Sequence, residues 1–288
     1  MLGRFTGRSR ETAGATIAIA PALVLVGFPT IASIVFSVIE STRSESGVGL
    51  YRDLLAGDSQ VTEFWESAAF TVMVGVVSTA LSGVLALLLV SWWHQNRSSS
   101  PSITLYSVVI GVPHLAWAAA LFLWLSQSGL VARMVTEVGL IDQPADFPIL
   151  VADNGGLGLI IHYVTKETPF IFVASVAALA ARSSDLNTAA ASLGANMVNR
   201  ARFVTWPLVR PAILGSMLIS FAFVLHSVEA PALLGASQPR MLAVVAAELF
   251  AEPTVQRRSL AAAIGMILTV VVLLSGALGA FTISRKST

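Results

Sequence analysis

Long apolar runs alternate with short polar segments along the whole chain. A helix needs about 20 mostly apolar residues to cross a bilayer. Backbone polar groups in lipid must be paired within their own segment, so each run of that length predicts a helix. Six runs qualify and together predict an all-α membrane protein with six transmembrane helices: 14–39, 67–91, 102–126, 157–181, 208–229 and 259–283.

Composition supports this prediction and excludes several site classes. Hydrophobic residues make up 55% of the 288 residues and charged residues 11%, with a mean hydropathy of +0.79, whereas about a quarter of the residues of a soluble domain are charged. The chain has no cysteine and only four histidines, which excludes a disulfide scaffold and leaves no metal-ligand spacing. The first run is longer than the ~7–15 residue core of a signal peptide, so we expect it to remain as a membrane helix.

Positive charge sets the orientation, because cytoplasmic loops carry an excess of lysine and arginine. One set of loops and both termini hold Arg4, Arg8, Arg10, Arg97, Arg182, Arg200, Arg202, Arg210, Arg285 and Lys286. The opposite loops hold only Arg43, Arg52, Arg133, Arg240, Arg257 and Arg258. Both termini are therefore predicted to be cytoplasmic.

Polar residues interrupt two of the runs at membrane depth. Pro113 and His114 break the third run, either because the backbone lines a cavity or because the helix kinks against its neighbours; Trp117 either lines the same path or faces lipid. In the fourth run, Lys166 and Glu167 precede Pro169. Charge in hydrocarbon costs at least ~2.5 kcal/mol per residue, so both side chains should face the bundle interior.

The sequence allows two roles for these interior charges. They line the translocation pathway or they make polar contacts to a partner subunit. Lys166 and Glu167 are adjacent on a helix and point roughly 100° apart, so we expect separate partners. His226 and Glu229 end the fifth run, where Glu229 either meets a cationic substrate or lies at the water interface.

Two smaller patterns predict helix packing and a short helix. Gly75, Thr79 and Gly83 recur every four residues of the second run, which is typical of a face where another helix approaches closely. Residues 241–250, within the outer loop 230–258, predict a short interfacial helix.

The polar segment 185–207, between the fourth and fifth runs, predicts a pair of cytoplasmic helices. Asp185 occupies an N-cap position, and Leu186, Ala189, Ala190 and Leu193 then recur at helical spacing. Gly194 predicts the end of the first helix. A second helical pattern follows and is predicted to stop at Pro207, whose ring does not continue a helix.

This segment resembles the signature of binding-protein-dependent ABC transporter permeases. The signature reads Glu-Ala-Ala, three residues, Gly, nine residues, Ile, one residue, Leu-Pro. Here every interval is preserved, while Thr188 replaces the acidic residue, Val204 the Ile and Trp206 the Leu. The resemblance implies the type I ABC importer permease fold, with this segment as the coupling helix that docks on an ATPase subunit. Thr188 departs at the charged docking position.

The resemblance also implies an organisation and a set of partners. The resemblance covers roughly residues 67–283, which would form the permease core with five transmembrane helices. Outside it, we expect residues 1–66 to form an N-terminal tail, a peripheral first helix and an outer loop, and 284–288 a cytoplasmic tail. In the bacterial inner membrane such a chain works with a second permease, here expected to be a different chain, with two ATPases that bind ATP and Mg²⁺, and with a periplasmic or lipid-anchored binding protein. The chain has no nucleotide-binding loop, so it should carry no cofactor and not be an enzyme itself. Its remaining contacts are with lipid, and no nucleic acid is expected.

The sequence leaves two classes of substrate open. The tail of the fifth run and Leu233-Leu234-Gly235 resemble the polyamine, ferric iron, thiamine and sulfate branch, and the alternative is a sugar importer. A rival of another class is a secondary transporter with Lys166, Glu167 and Glu229 as an ion relay, but that rival leaves segment 185–207 unexplained. An intramembrane enzyme lacks the residue motifs it would need.

Overall fold

The computed structural model describes residues 5–57, 61, 63–96, 101–180 and 185–284. This part of the chain is helical, with a single 3₁₀ turn at Pro144–Asp146 and a π-helical turn at Ala201–Thr205. Its α-helices are, in order, α1 Phe5–Ser41, α2 Gly49–Ala56, α3 Phe64–Asn96, α4 Pro101–Gly111, α5 His114–Leu125, α6 Leu130–Glu137, α7 Leu157–Ala180, α8 Asp185–Ser192, α9 Met197–Arg200, α10 Trp206–His226, α11 Glu229–Leu234, α12 Leu242–Ala251 and α13 Val255–Ser284.

Six stretches of the described chain are long and apolar enough to cross a membrane, and each overlaps one of the predicted runs. The second, fourth and sixth match to within about four residues at each end. The first qualifies only from Val24 to Ser41, and the fifth begins as early as Met197. The third qualifies from His114 to Glu137 rather than over 102–126. The reason is the expected break, which separates α4 from α5 at Val112 and Pro113. Pro113 is extended, with φ −58° and ψ 143°, and its carbonyl accepts the first backbone hydrogen bond of α5, from the amide of Trp117 at 3.0 Å.

Helix α7 forms the centre of the bundle. It packs against α3, α10 and α4, and more than half of its residues are buried. The polar residues at 165–169 do not break it, and Pro169 lies inside the continuous helix. A proline removes one backbone hydrogen bond, whereas ending the helix would leave several polar groups unpaired in the membrane interior.

The small residues of α3 form the predicted packing face. A Cβ atom at Gly75 would lie 2.6 Å from Leu225 Cδ1, and one at Gly83 would lie 2.5 Å from Met217 Sδ. Both neighbours belong to α10. Glycine at these positions therefore lets α3 and α10 approach to a distance that larger side chains would prevent.

One sequence prediction about the fifth helix is wrong. The helix does not stop at Pro207. It continues from Met197 through the π-helical turn into α10. Within that turn the amide of Trp206 bonds to the carbonyl of Ala201, one residue further back than in an α-helix. The wider turn just before Pro207 accommodates the missing donor and the ring, so the helix can pass through the proline.

The region between the start of α3 and α12 is held together around Arg240. Its guanidinium forms ion pairs with Glu63, which precedes α3, and with Glu248 of α12. The hydrogen bond to Glu63 raises the pKa of Arg240, and Glu248 adds to the effect. A short helix is present as α12 where one is predicted at 241–250, and this pairing fixes it against the beginning of α3.

The first helix is peripheral, as predicted. Helix α1 packs mainly on α13, and large apolar side chains on its second half are exposed, including Leu25 at 75% and Phe28 at 72%. The core of the described chain lies instead among α3, α7, α10 and the helices α12 and α13.

Candidate functional site

Lys166 fills the break between α4 and α5. Its ammonium donates hydrogen bonds to the carbonyl oxygens of Val109 at 2.8 Å, Ile110 at 3.4 Å and Val112 at 2.6 Å. The last carbonyls of a helix carry partial negative charge and have no partner within the helix. Lys166 therefore satisfies the end of α4, and its own side chain is only 3% exposed.

Glu167 points to a different neighbour. Ser220 Oγ of α10 donates a hydrogen bond of 2.6 Å to Glu167 Oε2, while Glu167 Oε1 lies 4.0 Å from His114 Nε2. The two charged residues thus have separate partners, as their spacing predicted. Together they connect α7 to α4 on one side and to α10 on the other.

Two further polar contacts extend this cluster along α7. His114 Nδ1 and His162 Nε2 lie 3.4 Å apart, and the indole nitrogen of Trp117 donates a 2.8 Å hydrogen bond to Thr165 Oγ1. Trp117 is half-buried against this helix. Helices α4 and α5 therefore share with α7 a row of polar contacts that runs along about one and a half turns of α7.

A cavity of about 190 Å³ opens beside the cluster. Polar groups from His114, Glu167 and Ser220 meet apolar and aromatic side chains there, with Phe223 40% exposed and Ile219 61% exposed. Such a mixture is typical of small-molecule sites, where a few polar groups orient a ligand against an apolar wall. The cavity is lined by Ile110, His114, Lys166, Glu167, Phe170, Ile219, Ser220 and Phe223.

The structure brings together only part of the predicted pathway set. Pro113 ends the break and Pro169 is buried in α7, so both shape the helices beside the cavity without lining it. His226 lines a separate cavity of about 320 Å³ next to α1, α12 and α13, and Glu229 is exposed at the start of α11. The roles of these residues remain predictions.

The sequence reasoning missed His162, which belongs to the polar cluster, and five residues that line the cavity: Ile110, Phe170, Ile219, Ser220 and Phe223. His162 precedes Lys166 by four residues and so shares its helix face, which is a readable signal. Ser220 lies in an apolar run beside other small polar residues, and its pairing with Glu167 depends on a contact across 53 residues of sequence. A single sequence carries no signal for that contact.

The segment 185–207 forms the predicted helix pair. Helix α8 ends in a Schellman motif: Gly194 has a φ of +81°, its amide bonds to Ala191, and the amide of Ala195 bonds to Ala190. The side chain of Asn196 then caps α9 by accepting from the amide of Asn199 at 2.8 Å. The side chain of Asp185, the predicted N-cap, lies outside the described part of the structure.

One face of α8 has no neighbour within the described chain. Leu186 is 55% exposed, Leu193 is 89% exposed and Ala189 between them is exposed, as is Thr188. Ala190, predicted on the same face, is half-buried and turned toward the chain itself. The free apolar face is therefore Leu186, Ala189 and Leu193, at helical spacing.

The family model for the binding-protein-dependent transport system inner membrane component matches residues 94–286. This is more than half of the chain and includes the polar cluster and segment 185–207. The chain belongs to this family. It is thus a multi-pass membrane transport component of an ABC importer, and the resemblance read from segment 185–207 is confirmed.

Individual relatives of this permease are distant in sequence. It is 28% identical over 178 residues to the trehalose transport system permease protein SugA of Mycobacterium tuberculosis, covering 60% of this chain and 53% of the relative. It is 29% identical over 170 residues to the trehalose/maltose transport system permease protein MalF of Thermococcus litoralis, covering 54% and 53%. The permease matches about half the length of these curated relatives.

Two solved structures share the fold over nearly the whole permease. Both are of a bacterial ABC transporter for alginate. One, in complex with an alginate pentasaccharide-bound periplasmic protein, gives a TM-score of 0.72 at 16% identity and covers 100% of this chain and 98% of that chain. The other gives 0.73 at 18% identity, with 98% of each chain covered. They confirm the predicted type I permease fold.

Proposed function

We propose that this chain is the permease subunit of an ATP-driven importer and forms half of a translocation pathway. The exposed apolar face of α8 carries the proposal, because it occupies the family's signature segment and has no partner within the described chain. An amphipathic helix of this kind fits a hydrophobic groove. The groove would belong to an ATPase on a separate chain, which would bind ATP and Mg²⁺.

The cavity beside Lys166 and Glu167 is the proposed pathway. Ile219 and Phe223 leave it open on the side of α10, where the second permease would complete it. A periplasmic or lipid-anchored binding protein would deliver substrate to the outer face, near Arg240 and α12. ATP-driven closure of the ATPases would then switch the two permeases between inward-open and outward-open arrangements.

The proposed substrate is a neutral carbohydrate. The ammonium of Lys166 is already occupied by three carbonyl groups, and Glu167 is the one carboxylate lining this cavity. Hydroxyl groups could pair with Glu167, Ser220 and His114, while Phe170 and Phe223 offer apolar faces. Relatives named for trehalose and maltose transport support this alternative over the polyamine, iron and thiamine branch that the sequence resembled.

Uptake into proteoliposomes tests the function and the substrate together. The permease, reconstituted with its second permease, ATPases and binding protein, should take up labelled trehalose or maltose only when ATP is present. Spermidine and thiamine should neither enter nor compete. Uptake driven by an ion gradient without ATP would support the secondary-transporter reading, and ATP-dependent spermidine uptake would restore the polyamine branch.

The second permease is proposed to be a different chain. Thr188 replaces the acidic residue of the signature, so this permease would be the weaker docking half of an asymmetric pair. We expect the assembled complex to contain one copy of this chain and one permease with an acidic residue at that position. Native mass spectrometry measures this composition directly, and two copies of this chain in one complex would contradict it.

The proposed topology places both termini and α8 in the cytoplasm. Because the chain has no cysteine, single cysteines can report the side of the membrane without background. Ser192→Cys, next to Leu193, should react with an impermeant maleimide only in inverted vesicles. Ser237→Cys in the outer loop should react only in right-side-out vesicles. The reverse pattern would overturn the orientation.

A further inference from the structure

The cytoplasmic end of α3 contacts α8, α9 and the π-helical turn, which all lie in the coupling segment, residues 185–207. Asn187 of α8 donates its side-chain amide to the carbonyl of His94 at 2.8 Å. The His94 ring and the Thr205 hydroxyl, in the π-helical turn, share a hydrogen bond with Nδ1 and Oγ1 2.9 Å apart. Gln95 donates to the carbonyl of Met197 in α9 at 3.1 Å. Contacts from α8, α9 and the turn therefore converge on two consecutive residues of α3.

The two bonds to His94 are shielded from water. Thr205 is fully buried, His94 is 5% exposed and Asn187 is 8% exposed. A buried polar group that loses its partner keeps the full cost of its desolvation, so such bonds resist being broken one at a time. A force applied to α8 should consequently be passed on to α3 before these contacts separate.

The π-helical turn places Thr205 for this contact. The i→i+5 bond between Ala201 and Trp206 marks the turn, and such bulges occur frequently at functional sites in helices. The turn lies between the free face of α8 and the membrane part of α10. Its one buried side chain points at the end of α3, rather than at lipid or at α8.

We propose that Asn187, His94 and Thr205 are positioning residues that transmit the displacement of α8 to α3, so that α3 and α10 move as one unit when the ATPases close. The inference rests on the function proposed above. It adds a second route by which a displacement of the coupling segment reaches the membrane helices. The first route is the direct chain connection through α10. None of the three residues touches the cavity at Lys166.

A simpler role for the same contacts is to hold α8 in place for docking. The two roles differ in what fails when a contact is removed. Loss of docking detaches the ATPases and lowers ATP hydrolysis, whereas loss of transmission leaves the complex assembled but lowers the number of substrate molecules imported per ATP. The ratio of uptake to hydrolysis separates them.

The test uses Thr205→Val, which keeps the shape of threonine but removes the hydroxyl, in the complete complex in proteoliposomes. Thr205→Ser keeps the hydroxyl and is the matched control. We expect Thr205→Val to copurify with normal amounts of ATPase and to hydrolyse ATP. Its uptake of trehalose or maltose per ATP should fall about tenfold, a change equivalent to ~1.4 kcal/mol of coupling free energy. Thr205→Ser should keep the original ratio within about twofold.

A second variant tests the same proposal even if Thr205→Val misfolds. Asn187→Leu breaks the other bond to His94 and should lower the same ratio, and the double variant should lose little more than either single variant because both act through His94. An unchanged uptake per ATP in Thr205→Val and Asn187→Leu would overturn the inference, as would loss of the ATPases from both complexes. Failure of the unmodified complex to couple uptake to ATP would instead refute the proposed function itself.

Discussion

Replacing Lys166 with methionine is expected to destabilise the permease and to lower its transport about tenfold or more. Methionine fills a similar volume but donates no hydrogen bond, so the carbonyls of Ile110 and Val112 lose the ammonium at the break between α4 and α5. The carbonyl of Val109 keeps a bond from the amide of Val112. Charge-assisted hydrogen bonds contribute ~1.5–3 kcal/mol each, and hydrogen bonds measured within membranes less, so we expect a loss of roughly 2–4 kcal/mol.

Thermal unfolding of the purified complex in lipid nanodiscs measures this loss. Glu167→Gln is the matched control, since it neutralises the adjacent residue but leaves an amide oxygen that can accept from Ser220. The control should melt within a few degrees of the unmodified permease, while Lys166→Met should melt well below it. Equal melting temperatures and normal transport in Lys166→Met would show that the carbonyls find other donors.

The Lys166 contacts also change how its role is understood. The sequence alone predicts that both charges face the bundle interior and leaves their roles open between pathway lining and contacts to a partner subunit. The structure separates the two residues: Lys166 holds a helix end, and Glu167 faces the cavity with Ser220. A double variant, Lys166→Met with Glu167→Gln, is therefore expected to combine a stability defect from the first change with a pathway defect from the second.

Introducing tryptophan at Ala189 is expected to abolish ATP-driven transport by blocking the docking of α8. Ala189 lies between Leu186 and Leu193 on the free face, where a small side chain lets the helix sit deep in a groove. A bulky ring there would hold the helix away from the ATPase. We expect the variant permease to insert and fold normally but to copurify with little ATPase and to show no substrate-stimulated ATP hydrolysis.

Ala191→Trp supplies the control on the same helix. Ala191 is also exposed, but two residues further along it points roughly 200° away from Ala189. Its complex should copurify with nearly normal amounts of ATPase, which is the readout that separates the two variants. Full transport in the Ala189→Trp complex, or an equal loss in both variants, would contradict docking through this face.

The predictable parts of this molecule were those set by local sequence. Six apolar runs predicted the helices because a backbone in hydrocarbon must pair its polar groups within its own segment. Gly194 predicted the end of α8 because only a residue tolerant of positive φ suits that position. Gly75 and Gly83 predicted close packing, although not that α10 would be the partner.

The failures came from contacts between distant segments. Pro207 was expected to stop a helix, but the π-helical turn before it lets the helix continue. Nothing in the sequence of residues 197–207 signals that turn. Lys166 was recognised as interior, yet its binding of α4 carbonyls depends on a break 54 residues earlier. His94 meets Thr205 across 111 residues, and no local periodicity reports a pairing of that kind.

Because the helix is continuous through Pro207, α10 can tilt as one body together with the π-helical turn. Fifteen residues separate Thr205 from Ser220, a length of ~22 Å at a rise of ~1.5 Å per residue. A pivot of only about 10° at the Thr205 end would move the Ser220 end sideways by about 4 Å over that length. Such a movement of Ser220 away from α7 would break its hydrogen bond to Glu167, which is 2.6 Å long in this structure, so a modest tilt of α10 would open one wall of the cavity.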